Sequence, residues 1–365
     1  MKTVQKYFPM PVQNMVRRIK RLGATPLYKR LPLALPTVVH IDPSNVCNFK
    51  CVFCPTGDSA LLASVKRFKG MMPPELFRKI IDDCAIMAGK CGTMFELVHL
   101  YKDGEPLTNP HFVEMAAYVK HKKIARSVAT TTNGSLLTKE ISSALIQSGI
   151  DTIRVSVEHC NSEGYAKITK TFSDFQGIRD SIAFLYHEKK RQMKQTHIIV
   201  KINDMRLSSI EKKRFIRIFR PICDEIKIDS LMGWSSSEKK DFTLGIPVTT
   251  AMDGITPLRE NNVCPEPFSK LAINPDGSVS VCCVDWAYQT IVGDIKTQTL
   301  EEIWHGDALR GFRLRHLYGQ RSALPACASC QYLKGFPSSV ALDAHAERLA
   351  GLFAAAVAPR KEHLE

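Results

Sequence analysis

Three cysteines near the start of the chain, Cys47, Cys51 and Cys54, stand in C-x3-C-x2-C spacing within the run Cys47-Asn48-Phe49-Lys50-Cys51-Val52-Phe53-Cys54. Three thiolates on one short loop suit an iron–sulfur cubane, because four irons and three protein ligands leave one iron open. The competing reading is structural zinc, which usually takes four ligands; this run supplies three and holds no histidine to complete the set. A second group, Cys264, Cys282, Cys283, Cys327 and Cys330, surrounds the turn signal Asn274-Pro275-Asp276-Gly277. On spacing alone, Cys327-Ala328-Ser329-Cys330 with two more cysteines also fits a zinc ribbon. Cys84, Cys91 and Cys223 fall within or beside apolar segments and read as small core residues. Cys160, in Glu158-His159-Cys160, either packs or faces a site where a thiol donates a hydrogen atom.

Positioning these groups requires strand ends. From Thr37 to Trp234, short β-branched runs alternate with longer helical patterns, which predicts βα units and a parallel sheet. The strands are expected at Thr37 to Ile41, Phe95 to Leu100, Ser127 to Thr132, Thr152 to Val157, His197 to Ile202 and Glu225 to Leu231. Helices are expected at Pro74 to Ala88, Pro110 to Lys122, Thr138 to Ser148, Gln176 to Lys189 and Ser209 to Phe219. This is an α/β fold, a partial (β/α)6 TIM-like barrel, with Cys47 just past the first strand where such barrels build their sites. The expected organisation is a basic N-terminal extension over 1–36, the barrel over 37–235 and a linker over 236–262. A cysteine-rich module with one hairpin follows over 263–337, then a helix and tail over 338–365.

The chain has 365 residues, 44% hydrophobic and 24% charged, the composition of an ordinary globular protein. No apolar run approaches the roughly 20 residues that span a bilayer, and Met1 to Met10 lacks a secretory pattern, so a cytoplasmic location is expected. In that reducing compartment twelve cysteines read as metal ligands and core residues rather than disulfides. A formal charge of +14 favours anionic partners. The basic segment Met15 to Leu22 reads either as a helix packed on the body or as a peripheral membrane contact.

The first cysteine run, with Phe53 before its last cysteine, resembles the signature of the radical S-adenosylmethionine (SAM) superfamily. Tyr101-Lys102-Asp103-Gly104-Glu105-Pro106 resembles that family's Gly-Gly-Glu-Pro segment, with Asp103 in place of its first glycine. Thr131-Thr132-Asn133-Gly134 looks like its Thr-Asn-Gly, Ser156 like its fourth-strand serine, and Lys201-Ile202-Asn203-Asp204 like its fifth-strand Asn-Asp. The resemblance implies a 4Fe-4S cluster on Cys47, Cys51 and Cys54 whose open iron binds SAM. It also implies a cofactor site of Gly104, Glu105, Thr132, Asn133, Ser156 and Asn203. Relatives carry an arginine four residues after the tyrosine that Tyr165 resembles; here that position is Thr169, which leaves Lys167 or Lys170 to meet the cofactor carboxylate as a point charge. The second cysteine group, with Gly293-Asp294-Ile295, Leu300 to Trp304 and Arg313, resembles SPASM and twitch modules. That implies an auxiliary 4Fe-4S cluster on Cys264, Cys282, Cys327 and Cys330, with Cys283 its neighbour or an alternative to Cys282.

Together these imply reductive cleavage of SAM to a 5'-deoxyadenosyl radical and hydrogen abstraction from a small polar or anionic substrate, with a flavodoxin- or ferredoxin-type reductant. The leading expectation is oxidation of a carbinol in a sugar, aminocyclitol or glycan precursor, the auxiliary cluster accepting an electron. Glu158, His159 and Asp229 are the candidate bases. An epimerase would instead quench the substrate radical with Cys160 or Cys283; a peptide maturase and a nucleotide- or nucleic-acid-modifying radical enzyme are further alternatives. A zinc-containing nucleic-acid binding protein is the non-enzymatic reading, but the basic residues are dispersed and no recognition-helix pattern surrounds the cysteines, so no stable nucleic-acid partner is expected.

Overall fold

A computed structural model describes residues 25–355, so the basic segment Met15 to Leu22 lies outside the described residues. Six strands run parallel in chain order: β1 (Val38–Ile41), β2 (Leu97–Leu100), β3 (Val128–Thr132), β4 (Thr152–Ser156), β5 (His197–Asp204) and β6 (Glu225–Ser230). Each stands where the β-branched runs place it. The helices between them include Pro74–Cys91, Phe112–Lys122, Lys139–Gln147, Phe175–Arg191 and Ser209–Phe219. Local chemistry sets their ends: Thr138 caps Lys139–Gln147, and a Ser208/Glu211 capping box opens Ser209–Phe219.

The cysteine-bearing module joins this sheet rather than standing beside it. Strand β7 (Lys270–Ile273) pairs in parallel with β1, and β8 (Ser278–Ser280) and β9 (Ile291–Asp294) follow antiparallel, giving the order β6-β5-β4-β3-β2-β1-β7-β8-β9. The β7–β8 turn is the one that Asn274-Pro275-Asp276-Gly277 signals, with Gly277 at φ 88° where a side chain would be strained. At the far end, the helix Ala346–Ala355 buries Leu349 and Phe353 against Leu27, Leu31 and Phe268, tying the two ends of the described chain together. That helix begins later than the alanine-rich pattern suggests, after short 3-10 turns at Ser338–Val340 and Asp343–His345. A further short helix, Ser59–Val65, has no strong periodic signal and is held by Asp58, which accepts from the Leu61 amide at 3.0 Å.

The two faces of the sheet differ. Val39, Ile41, Val98, Leu100, Ile153, Val155, Ile198, Val200 and Ile202 are buried in the main core with the helices, each contributing about 1.5–3 kcal/mol of burial. The alternate positions carry His40, His99, Thr131, Arg154, Ser156, Lys201 and Asn203, register neighbours on the opposite face. A parallel sheet is ordinarily apolar on both faces. This polar face is the lumen side of the partial barrel.

Candidate metal centres and active site

The loop after β1 is fixed from outside by the helix Ser162–Thr169. The Lys50 amide donates to the Thr169 carbonyl at 2.8 Å and the Val52 amide to that of Ile168 at 3.0 Å. Phe49, 3% exposed, meets the buried Tyr165 ring edge-on at 6.3 Å. Thr169 is fully buried, and its hydroxyl donates to the Tyr165 carbonyl at 2.9 Å. The residue standing in for the family's arginine is therefore part of the clamp on the cysteine loop. Past the loop, a Cβ on Gly57 would lie 2.6 Å from the Cys51 carbonyl oxygen, so only glycine lets the chain fold back over the cysteines.

Inside that clamp, the Phe49 amide points at the Cys47 sulfur at 3.4 Å. Burial pushes the Cys47 thiol up to about 12, with the nearby Cys54 raising it further; Cys51 is also raised by burial, and feels Glu158, Cys54 and Cys47. Such thiols ionise readily only against a compensating metal charge. Three neighbouring half-buried cysteines with an amide donor fit a thiolate-ligated cluster.

Glu105 sits beside this loop at 1% exposure. Its Oε1 accepts from the Thr132 hydroxyl at 2.7 Å and the Leu107 amide at 3.1 Å, and its Oε2 accepts from the Asn133 amide at 2.6 Å. Burial pushes its carboxyl up to about 7, and these donors hold it from rising further. The Asn133 side chain donates to Asn48 Oδ1 at 2.8 Å, so the ends of β2 and β3 and the cysteine loop share one network. Gly104 has a packing reason of its own: a Cβ there would meet the Ser44 carbonyl oxygen at 2.2 Å and that of Val46 at 2.6 Å. Ser156 and Asn203 lie on the lumen face, in register with Lys201 and Asp229 respectively. This arrangement offers a cationic amino acid a carboxylate beside three thiolates.

Across β1, Cys264, Cys282, Cys327 and Cys330 line one cavity whose exposed surface is largely apolar, together with Phe312 and Leu333. Cys283 does not line it. Its sulfur lies 3.9 Å from Glu266 Oε2, and it contacts the side chains of the adjacent Cys282 and of His40, on the lumen face of β1. Four cysteines on an apolar cavity can complete a cluster with no open iron.

Other expected site residues are placed elsewhere. Lys167 is 73% exposed and paired with Glu163 at 2.7 Å, so the structure corrects its expected role at the cofactor carboxylate. Cys160, 6% exposed, belongs to the apolar core beside Glu211 and Arg214, the packing alternative of its two readings. His159 packs on Gly164 and approaches Glu211 at 3.9 Å. Asp229 is held by Lys201 at 3.5 Å. Glu158 is 4% exposed with Oε2 unpartnered, its carboxyl raised by burial against the opposing pull of Lys201.

Sequence reasoning missed a buried ionic group between the two centres. Asp103 accepts from Lys102 at 2.7 Å and from Arg67 at 2.9 Å, while Arg67 also donates to the Trp286 carbonyl and Lys102 to that of Asp285. The two cations lie over the Tyr288 ring at 5.4 and 4.6 Å. Asp42 is buried alongside, raised by burial and by Asp103; the Asp103 backbone approaches it, yet neither Asp42 oxygen completes a hydrogen bond. The signal was Asp103 itself, a charge where the family carries glycine.

Residues 41–212 match the model of the radical SAM superfamily and residues 264–331 that of SPASM, an iron-sulfur cluster-binding domain. The chain is 21% identical over 300 residues to the S-adenosyl-L-methionine-dependent 2-deoxy-scyllo-inosamine dehydrogenase of Niallia circulans, covering 80% of this chain and 92% of that one. It is 32% identical over 133 residues to a probable GTP 3',8-cyclase of Methanosarcina acetivorans, spanning only 36% of that relative's length. In fold it resembles Streptococcus suis SuiB bound to S-adenosylmethionine, with TM-score 0.58, 15% identity and coverage of 92% of this chain and 80% of that one. It also resembles BtrN in complex with AdoMet and 2-DOIA, with TM-score 0.52, 17% identity and coverage of 83% and 96%. Such domains use SAM, a 4Fe-4S cluster and an auxiliary cluster. The chain carries a radical SAM domain and, C-terminal to it, a SPASM iron–sulfur module.

Proposed function

We propose that this enzyme oxidises a carbinol of a sugar, aminocyclitol or glycan precursor to a carbonyl. Cys47, Cys51 and Cys54 hold the SAM-binding cluster, and Cys264, Cys282, Cys327 and Cys330 hold the auxiliary one. When bound, the first cluster and SAM supply a hydrogen-abstracting 5'-deoxyadenosyl radical. Glu105, fixed by Thr132 and Asn133, accepts the amino group of the cofactor, and Ser156 and Asn203 line its bed. The substrate gives up one hydrogen atom, one proton and one electron. Glu158 takes the proton in this reading, which is supported by its being buried with one oxygen free. A reductant of the flavodoxin or ferredoxin type and a cytoplasmic setting accompany this reading; no helix among the described residues is long and apolar enough to cross a membrane.

The observation that carries it is the cavity lined by all four cysteines, since a fully ligated cluster can take an electron but offers no iron to substrate. The match along most of a SAM-dependent dehydrogenase supports the same chemistry. Oxidation yields a product two mass units lighter than the substrate, and mass spectrometry of reactions with candidate polyols and glycans tests it. Cys283 supports a second reading, an epimerase, because it stands off the cavity and touches His40 of the lumen face. That enzyme would return a product of unchanged mass carrying one deuterium from heavy water.

A further inference from the structure

Among the described residues, the lumen face holds one cation, Arg154, that has no acidic partner. Lys201 has Asp229 at 3.5 Å, Lys227 has Glu225 at 3.6 Å and Lys270 has Glu266 at 2.5 Å. Arg154, at the middle of β4, has no acidic side chain within 4.0 Å among the described residues, and its Nε is buried with no hydrogen-bond partner. Arg154 is half-buried and only its Nε is sealed without a partner, so an anion seated on its fork would supply the counter-ion that the fold does not.

The residues around it form a floor for such a group. Thr131 on β3 is the register partner of Arg154, and its hydroxyl lies 3.3 Å from His99 Nε2 on β2. His40 on β1 pairs in register with His99; their rings are 5.2 Å apart, and His40 Nδ1 is buried without a partner. Burial and the nearby charges of Arg154 and Lys270 keep His99 neutral, so it adds polarity without charge. Four adjacent strands thus supply a guanidinium, a hydroxyl and two imidazoles on one face. Arg154 lies two residues before Ser156, about 7 Å deeper along the strand. Glu105 and Asn133 stand at the strand ends where the cofactor amino group is taken, so Arg154 faces the layer beneath.

We propose that Arg154, with Thr131, His99 and His40, forms an anion subsite in the lumen floor, and that the substrate is a polyol carrying a phosphate or carboxylate group seated on the Arg154 guanidinium. A planar fork matches either oxyanion in a two-point contact, which a lysine cannot reproduce. The proposal refines the substrate class of the carbohydrate-oxidation reading on which it rests.

The test is equilibrium binding to the cluster-reconstituted enzyme, without turnover. The probes are inorganic phosphate, glucose 6-phosphate, UDP-glucose, glucuronate and the neutral myo-inositol, each against wild type, Arg154→Lys and Arg154→Gln. A charge-assisted contact of this kind predicts that at least one anionic polyol binds about ten- to hundredfold more tightly than myo-inositol. Arg154→Gln should abolish that preference and Arg154→Lys should keep part of it, with iron content unchanged in both. Which probe binds separates phosphate monoester, diphosphate and carboxylate. Equal affinity for neutral and anionic polyols overturns the subsite, as does a preference that survives in Arg154→Gln. If Arg154→Gln instead loses the change that SAM causes in the EPR spectrum of the reduced cluster, while anion binding persists, Arg154 serves the cofactor and the proposal is wrong. Absence of an oxidised product would count against the carbohydrate-oxidation reading and leave the binding result standing.

Discussion

Gly104 offers a sharp perturbation because its role is steric. In Gly104→Ala the new Cβ would sit 2.2 Å from the Ser44 carbonyl oxygen, 2.6 Å from that of Val46 and 2.7 Å from the Asn45 carbonyl carbon, all backbone atoms that cannot rotate away. The segment leading into Cys47 must move, which also strains the 2.9 Å bond from the Glu105 amide to the Val46 carbonyl. Overpacking costs about 1–3 kcal/mol and a lost hydrogen bond about 1 kcal/mol, so a loss of about 2–4 kcal/mol is expected. Differential scanning calorimetry should show a lower unfolding temperature, by roughly 3–5 °C. Iron and sulfide analysis after reconstitution should show loss from the first centre while the SPASM centre keeps its iron. Gly311→Ala is the control: nothing lies within 4 Å of a Cβ there, and the residue is inside the helix Asp307–Leu317. It should stabilise by up to about 1 kcal/mol. A Gly104→Ala protein with wild-type stability and a full first cluster would refute the steric argument.

Removing any one of Cys264, Cys282, Cys327 or Cys330 should lower bound iron from about eight to about four per chain, whereas Cys283→Ala should leave it unchanged; a loss of iron in Cys283→Ala would contradict the cavity assignment. Asp103→Ala strands Arg67 and Lys102, whose side chains are 1% and 0% exposed, and should cost about 3–5 kcal/mol in denaturant unfolding. His316 is fully buried and its Nδ1 accepts the Cys264 amide at 3.4 Å, so the fold requires the neutral ring. Burial holds its pKa at about 4, below the unfolded value of about 6.5. The unfolded chain therefore takes up the proton first, and stability present above about pH 6.5 is lost progressively toward pH 4, by about 3 kcal/mol. A His316→Gln variant should show a flatter stability profile across that interval, and an unchanged profile would exclude the ring as its source.

Much of the barrel was legible because its signals are local. The β-branched runs that became β1 to β6 alternate with helical periods, and the Cys47 to Cys54 spacing lies within eight residues. Glu105, Thr132 and Asn133 follow their strands directly, so their meeting was readable once the strands were placed. The pairing of β7 with β1 was not, because it joins Val38 to Lys270 with no local trace. Lys167 was misjudged because Glu163, one helical turn earlier, captures it at the surface. Cys160 lies just past the end of β4, where strand alternation no longer says which way a side chain turns. Arg154 was legible in principle from its phase with Ser156, but its lack of a counter-ion depends on neighbours brought from three other strands.

The central claim is that Cys47, Cys51 and Cys54 hold a cluster that cleaves SAM. Anaerobic reconstitution, followed by dithionite and SAM and chromatographic assay of 5'-deoxyadenosine, tests it most directly. Wild type should form 5'-deoxyadenosine and Cys47→Ala should not. Equal amounts from both proteins, or none from a fully reconstituted wild type, would contradict it.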